Sequence, residues 1–175
     1  HDATNWMELQ FSSVDKLWLY FQNANDGSVL TAAQFRDTAA WYHIVVAVDT
    51  TQGTASNRVK IYVNGEQMTL TGTYPSEDLD TAWNNSEAQW IGESGNTQFF
   101  DGYMAEMHNI DGTALAASDF GETDEDTNQW VPIEYDTANG AYGTNGFYLE
   151  FASGALGTDS SGEGNNYTAV NLAND

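Results

Sequence analysis

The sequence predicts an all-β protein, an antiparallel two-sheet jelly-roll sandwich with almost no helix. Short runs alternate apolar and polar residues along the chain, as the pleat of a half-buried strand requires. Sixteen glycines and two prolines among 175 residues suit a chain with many tight turns. About ten short strands separated by turn residues are typical of sandwiches and jelly rolls.

The chain opens with a predicted hairpin. Residues 5–11 and 17–22 form its strands, and residues 12–15 form the turn between them. Each strand places alternate apolar residues on one side: Met7, Leu9 and Phe11 in the first, and Leu17, Leu19 and Phe21 in the second. A third strand is expected over residues 28–36.

The strongest strand signals come next. Residues 41–49, WYHIVVAVD, are apolar on both faces, so this strand should lie centrally between two layers. Residues 58–64 alternate, and three of their apolar side chains point one way: Val59, Ile61 and Val63. The Asn64-Gly65 pair that follows readily takes the positive φ angles of a type I′ hairpin turn.

The second half of the chain is less regular. Short strands are expected at residues 88–92 and 146–151, and a long strand at residues 99–110. The late strand should direct three side chains inward: Phe147, Leu149 and Phe151. Only residues 114–120 resemble a helix, of about one or two turns. Acidic loops are predicted at two places, residues 72–87 and residues 122–128.

The charge of the chain excludes some partners. Four basic residues face 26 acidic ones, which gives a formal net charge of −22. Such a surface repels nucleic acid and anionic membranes, because the basic residues that neutralise phosphates are missing. Two interpretations of the acidic residues stay open, binding of divalent cations and adaptation to solubility in salt water. The absence of cysteine excludes disulfides and thiolate metal sites.

Several segments resemble a known superfamily. Residues 41–49 and 59–65 resemble the central strands of concanavalin A-like, or laminin-G-like, jelly-roll domains. Residues 100–110 and 114–120 resemble that family's penultimate strand and short helix. More narrowly, four short segments resemble virion structural proteins of tailed, often marine, phages: residues 111–115, 118–122, 130–132 and 142–149. The resemblance implies a location on a virion or an extracellular surface.

The domain boundaries follow from the same resemblance. We expect one domain over residues 1–175, without an internal boundary. Family members usually have one or two more strands before the position where this chain starts, whereas residues 146–168 resemble the segment that opens such domains. The domain is therefore either a permuted jelly roll or one that lacks N-terminal strands and is completed by a neighbouring subunit through β-augmentation.

Catalytic residues are not expected. Glucanases of this superfamily carry the spacing Glu-x-Asp-x-x-Glu on one strand, and Glu122 and Asp124 begin it, but Thr127 stands where the last Glu belongs. Serine-hydrolase and zinc-protease motifs are missing from the sequence as well. His43 is expected to be a satisfied sheet histidine, and His108 shares a strand face with Glu106, either as a metal ligand or as a surface residue.

An aromatic strip is the candidate sugar site. Sugar binding requires an aromatic platform with polar neighbours on a rigid sheet. Trp6 shares a strand face with Glu8 and Gln10, and Trp18 shares one with Tyr20. If the two faces coincide, these rings form an exposed strip; otherwise they are core residues. Two further tryptophans are candidates for a site at the edge of the loop they flank: Trp83 and Trp90.

Calcium is the expected ion, because it takes six to eight oxygen ligands. Asp159, Ser161 and Asn165 offer side-chain oxygens on a Gly- and Ser-rich segment. Related jelly rolls commonly hold a structural calcium, which makes Asp159 the first candidate ligand, with Asp101 and Glu106 as second choices. The alternative is a turn closed by Asx hydrogen bonds.

Together these observations favour a non-enzymatic virion structural or adhesion module, such as a decoration, tail or fibre component. Its partners would be copies of itself or neighbouring virion proteins. The alternative is a calcium-assisted module that binds host-surface glycans, and a weaker alternative is a divergent glucanase. No organic cofactor is expected.

Overall fold

The computed structural model of the chain is almost wholly β. It describes residues 5–23, 27–84, 88–94 and 98–170, except for the side chains of residues 5, 22 and 23. The strands are β1 (Asn5–Phe11), β2 (Leu17–Asn23), β3 (Ser28–Thr31), β4 (Ile44–Val48), β5 (Val59–Val63), β6 (Glu66–Gln67), β7 (Leu70–Thr73), β8 (Glu93–Ser94), β9 (Gln98–Phe99), β10 (Met107–Asn109), β11 (Gly121–Thr123), β12 (Trp130–Pro132) and β13 (Phe147–Leu149). Within these ranges the helical segments are two 3-10 turns, Ala55–Asn57 and Ala117–Asp119.

The chain divides into two compact units. The larger unit contains the described residues up to Ala82 together with Ala114–Asp136, and the smaller unit contains Trp83–Thr113 and the described residues from 137 onward. Each strand pair lies within one unit. A single domain over residues 1–175 stays a prediction. Where the structure describes the chain, no helix has the length and apolar character that crossing a membrane requires.

The first sheet of the larger unit has the order β1-β2-β3-β7, with antiparallel neighbours throughout. Its core face carries the apolar side chains of β2 that the sequence places on one side of the strand. Alternate side chains of β3 lie on the same face. The buried residues are Leu17, Leu19, Phe21, Val29 and Thr31. Because side chains alternate along a strand, the other face of this sheet carries the even-numbered residues of β1 and β2.

The second sheet of the larger unit has the order β4-β5-β6. The predicted inward residues of β5 are buried: Val59, Ile61 and Val63. Asn64 and Gly65 have φ angles of 49° and 81°, so the predicted hairpin turn with two positive φ values is confirmed. The opposite face of β5 carries Lys60 and Tyr62, which are half-buried.

Two predicted strands of the first half are too long. The strand expected over residues 28–36 ends at Thr31, where the hydroxyl turns to donate to the carbonyl of Ala33 at 2.9 Å. The strand expected over residues 41–49 is Ile44–Val48, and Trp41 is 66% exposed. The central position predicted for it is also wrong, because β4 pairs only with β5 among the described strands and all its residues are half-buried.

The long strand predicted over residues 99–110 is wrong. The segment forms β9, which ends at Phe99, and the three residues of β10. Glu106 has a φ of 48°, a left-handed conformation that no regular strand contains. The strand expected at residues 88–92 is shifted to Glu93–Ser94, because Gly92 has a φ of 78° and turns the chain before it.

Three other elements of the second half differ from expectation. The helix predicted at residues 114–120 is only the 3-10 turn Ala117–Asp119. The acidic loop predicted over residues 122–128 overlaps β11 at residues 122 and 123, and β11 pairs with β12. The late strand is Phe147–Leu149, with both of these residues buried as predicted. It ends before Phe151, which is half-buried and has a φ of 53°.

Candidate functional site

The aromatic strip consists of Trp6, Trp18 and Tyr20. The β1–β2 register pairs Glu8 with Tyr20 and Gln10 with Trp18, so the two predicted strand faces coincide. The Trp6 and Tyr20 ring centroids are 4.9 Å apart, and those of Trp18 and Tyr20 are 5.5 Å apart, with the latter pair edge to face. All three side chains are half-buried. The strip therefore lies on the face of the first sheet opposite its core.

Polar side chains flank this strip. Glu8 and Gln10 lie beside the rings on β1, and Ser28 faces Tyr20 from β3. On β7, Thr71 and Thr73 pair with Leu30 and Ser28 on the same face and are exposed. Carboxylate, amide and hydroxyl groups next to aromatic rings are the groups that recognise sugar hydroxyls and sugar faces.

Trp18 has a feature that sequence analysis does not reveal. Its indole Nε1 is buried and has no hydrogen-bond partner among the described residues. A buried donor without an acceptor costs about 1–3 kcal/mol. The indole nitrogen is therefore a destabilising feature of the folded sheet, which the packing of the ring has to offset.

The other two candidate tryptophans lie in the smaller unit. Trp83 is half-buried, and Trp90 is 48% exposed. Neither belongs to a strand, since both lie in the irregular segment before β8. The structure does not place them in the unit that holds the aromatic strip.

The structure brings the three first-choice calcium candidates together. Asp159 is only 9% exposed. Its Oδ1 accepts the backbone N–H groups of Tyr148 and Ser161 at 2.9 Å, and its Oδ2 accepts that of Asn165 at 2.8 Å. The Asn165 amide in turn donates to the carbonyl oxygens of Thr144 and Gly146 at 2.9 and 2.8 Å. This network connects the loop after β13 to the strand itself.

These groups do not fit a calcium ion in this arrangement. The carboxylate oxygens face N–H donors, which place positive partial charge where a cation would have to lie. Burial raises the pKa of Asp159, but its hydrogen bonds to Tyr148, Ser161 and Asn165 outweigh burial and hold the pKa below its ordinary value. The loop matches the second interpretation of its sequence, an Asx-type turn, while calcium binding itself stays an untested prediction.

The second-choice ligands and His108 lie elsewhere. Asp101 and Glu106 are exposed, and Glu106 precedes β10 with a positive φ, so it does not alternate with His108 along one strand. The His108 ring stacks on Tyr148 with centroids 4.1 Å apart, and its Nδ1 is 2.8 Å from the Tyr142 hydroxyl. Among the residues that the structure describes, no group of three His, Asp or Glu side chains is arranged to hold a metal.

Asp124, one of the two acids that resemble the start of a glucanase motif, has a structural role. Asp124 accepts from the hydroxyl and the backbone N–H of Thr127 at 2.6 and 2.7 Å. These two bonds lower the pKa of Asp124. The threonine that replaces the expected glutamate thus closes the β11–β12 turn, and the carboxylate is held in its ionised form.

Sequence analysis missed the pairing of His43 with Trp130. Trp130 Nε1 donates to His43 Nδ1 at 3.1 Å, and the indole ring covers Gly65 and Gly121, where any Cβ would collide with it. Burial lowers the pKa of His43, which favours the neutral ring that this bond requires. In the sequence, nothing in the spacing of Gly65 and Gly121 identifies Trp130 as their common neighbour.

Sequence analysis also missed a cleft in the larger unit. It lies over the outer face of β4 and β5 and has a volume of about 240 Å³. Its polar wall includes Asp49 and Lys60, and residues 114–116 cover one side. Three hydrogen bonds from Thr51 and Gln52 hold the Asp49 carboxylate, and those side-chain bonds are the main cause that lowers its pKa.

Comparison with known families gives one match. A laminin-G-type family model, described as that of the concanavalin A-like lectin/glucanases superfamily, matches residues 1–119. The matched segment spans more than half of the 175 residues. Neither curated proteins nor solved structures gave a match.

Proposed function

Since the chain belongs to the concanavalin A-like lectin/glucanase superfamily, we propose that it is a non-catalytic carbohydrate-binding module whose ligand stacks on the aromatic strip. The observation that carries the proposal is the contiguity of Trp6, Tyr20 and Trp18 on the outer face of the first sheet. The opposite face of the same sheet is core, which fixes the backbone beneath the rings.

The strip matches the chemistry of a sugar better than that of a reactive substrate. Aromatic rings bind the apolar face of a pyranose, and the flanking Glu8, Gln10 and Ser28 offer hydrogen bonds to its hydroxyls. Asp124, where the glucanase spacing begins, is held by Thr127 in a turn. A binding role therefore agrees with the arrangement, and the glucanase spacing that would support hydrolysis is incomplete, because Thr127 takes the place of its last Glu.

A glycan array followed by calorimetry on the best glycan tests the proposal. We expect millimolar to micromolar affinity, and Trp18→Ala should weaken it roughly tenfold or more, as loss of a central aromatic contact does. Trp90→Ala is the matched control, because it removes an exposed tryptophan from the smaller unit. Equal losses in both variants, or no glycan signal at all, would reject the strip as the binding site.

A second candidate function is assembly, as a virion decoration, tail or fibre component. It is favoured by an exposed apolar segment in the smaller unit, where Phe99 and Tyr103 are 69% and 72% exposed and Phe100, Met104 and Met107 are exposed as well. Contiguous exposed apolar side chains commonly mark protein interaction sites. The virion location itself rests on the sequence resemblance.

Sedimentation of the chain tests the assembly role. We expect multimers that dissociate when Phe99 and Tyr103 are both replaced by serine, with Val170→Ser as a control for an exposed apolar residue outside the segment. Recovery of the protein in purified particles would test the virion role separately. A monomer at all concentrations would exclude self-association through this segment.

A further inference from the structure

The cleft over the outer face of β4 and β5 is separate from the aromatic strip, which lies on the other sheet. Ala47 and Lys60 are paired in the register of these strands, and Tyr62 lies two residues further along the same face. The segment 114–116, with Leu115 half-buried, supplies an apolar wall. The volume of about 240 Å³ is below the roughly 300–1,000 Å³ of pockets for drug-sized ligands, so it suits a single sugar ring.

The polar groups of the cleft fall into two classes. The Asp49 carboxylate accepts hydrogen bonds from Thr51 and from the Gln52 amide at 2.6–3.1 Å, so Asp49 and Gln52 are committed to each other. In the part of the chain that the structure describes, the side chains of Asn57, Lys60 and Tyr62 make no hydrogen bond and no ion pair within 4 Å, although Lys60 attracts the Asp49 carboxylate from a longer distance. An ammonium, an amide and a phenol are thus available to a ligand, and together they present mainly donors.

The Arg58 side chain holds the loop that carries Asn57 in place. The buried Arg58 guanidinium donates to the carbonyl oxygens of Gln52, Gly53 and Pro75 at 2.7, 3.3 and 2.9 Å. It also pairs with Glu77 at 3.1 Å. This anchoring fixes the cleft wall before any ligand arrives, which lowers the entropic cost of binding.

Charge narrows the ligand class. Lys60 is one of only four basic residues, and two of the others, Arg36 and Arg58, form ion pairs with Asp15 and Glu77. Lys60 disfavours a cation in the cleft, while the net charge of −22 and the nearby Asp49 carboxylate disfavour a multiply charged anion. A ligand with one carboxylate and several hydroxyls satisfies Lys60, Asn57 and Tyr62 and places its apolar ring face on the alanines.

We propose that this cleft binds a carboxylated sugar unit, with the sugar carboxylate on Lys60. The inference does not depend on the aromatic strip. Loss of glycan binding in Trp18→Ala would leave it intact, and loss of the site in a Lys60 variant would leave the strip intact.

The test is a titration of the ¹⁵N-labelled full chain with glucuronate, glucose and acetate, followed by amide shifts. We expect glucuronate to shift the amides of residues 47–62 and 114–116, with an affinity about tenfold or more above that of glucose, as one charge-assisted contact provides. Lys60→Gln should abolish this preference. Tyr62→Phe should weaken glucuronate binding severalfold, and Lys16→Gln, in the turn of the first hairpin, should change nothing.

Several results would overturn the proposal. Equal affinity for glucuronate and glucose would remove the role of Lys60, and equal affinity for acetate would show a plain carboxylate site without sugar recognition. Shifts that persist in Lys60→Gln, or no shifts in this region, would exclude the cleft. Melting curves of each variant check that it is folded, and Tyr62→Phe tests the site independently if Lys60→Gln does not fold.

Discussion

At the scale of single residues, Asp159 shows what the sequence reveals and what it leaves open. The Asp-Ser-Ser-Gly pattern correctly indicates a turn built around one carboxylate. The same residue types serve a calcium loop and an Asx turn, since both need a flexible backbone near an oxygen. Only the structure shows that Asp159 faces the N–H groups of Tyr148, Ser161 and Asn165.

Replacement of Asp159 should therefore destabilise the fold. We expect Asp159→Ala to lower the free energy of unfolding by about 3 kcal/mol, because it leaves three backbone donors without an acceptor. Urea unfolding near neutral pH measures the change. Asp101→Ala, an exposed carboxylate in the same unit, should stay within about 0.5 kcal/mol.

The same residue gives a pH dependence with a definite sign. Its folded-state pKa is lower than the unfolded value of 3.8, so its stabilising effect is complete above pH 3.8 and is lost as the pH falls through the folded pKa. The destabilisation caused by Asp159→Ala should accordingly shrink in strong acid. An effect that is constant with pH would show that the hydrogen bonds matter less than the packing.

Calcium can be tested at this residue too. Because the carboxylate already accepts three N–H bonds, we expect a chelator, or exchange of Na⁺ for Ca²⁺ at constant ionic strength, to leave the melting temperature unchanged. A bound ion would raise it by mass action. A calcium-dependent rise that disappears in Asp159→Ala would restore the calcium site predicted from the sequence.

At the scale of elements, two hairpins of the larger unit, β5–β6 and β11–β12, contrast. The β5–β6 hairpin and its Asn64-Gly65 turn were predictable, because alternation and turn chemistry are both local signals. The β11–β12 hairpin was not, since β11 has only Gly121 buried and its other residues are polar and exposed. Trp130 holds it through contacts with residues distant in sequence, which no local pattern encodes.

Gly121 is the position that tests this packing. Its φ is not in the left-handed region, so Gly121→Ala acts through the collision of the new methyl group with the Trp130 ring. We expect a loss of about 1–3 kcal/mol, typical of an overpacked contact. Gly53→Ala is the control, because a Cβ there meets nothing within 4 Å.

His43 makes the stability of the β11–β12 hairpin depend on pH, because its neutral ring accepts the hydrogen bond from Trp130. Burial puts its folded-state pKa below 6.5, so its contribution is complete above pH 6.5 and is lost as the pH falls through the folded value. We expect the chain to unfold more readily in urea at about pH 5.5 than at about pH 7.5, and His43→Gln to reduce that difference. An unchanged difference in the variant would assign the pH effect to other groups.

At the scale of the whole molecule, net charge is the property that the sequence establishes most directly. The fold class was also predictable, because strand alternation and turns recur along the chain, whereas the superfamily was predicted from the resemblance of residues 41–49 and 59–65 to its central strands. The lengths of individual strands were not predictable. Positive φ angles at Glu106 and Phe151 interrupt the predicted strands, although the side chains there still alternate as in a strand. The Lys60 cleft was hidden because its walls come from segments far apart in sequence.

The indole of Trp18 carries a consequence for evolution. A phenyl ring would fill most of the same space without an unsatisfied nitrogen among its described neighbours, so the nitrogen itself gives folding no reason to keep tryptophan. A saturation library at this position, sorted only for expression, should drift toward phenylalanine. The same library sorted for retention on an immobilised polysaccharide should keep the wild-type residue, which would separate selection for ligand from selection for a stable sheet.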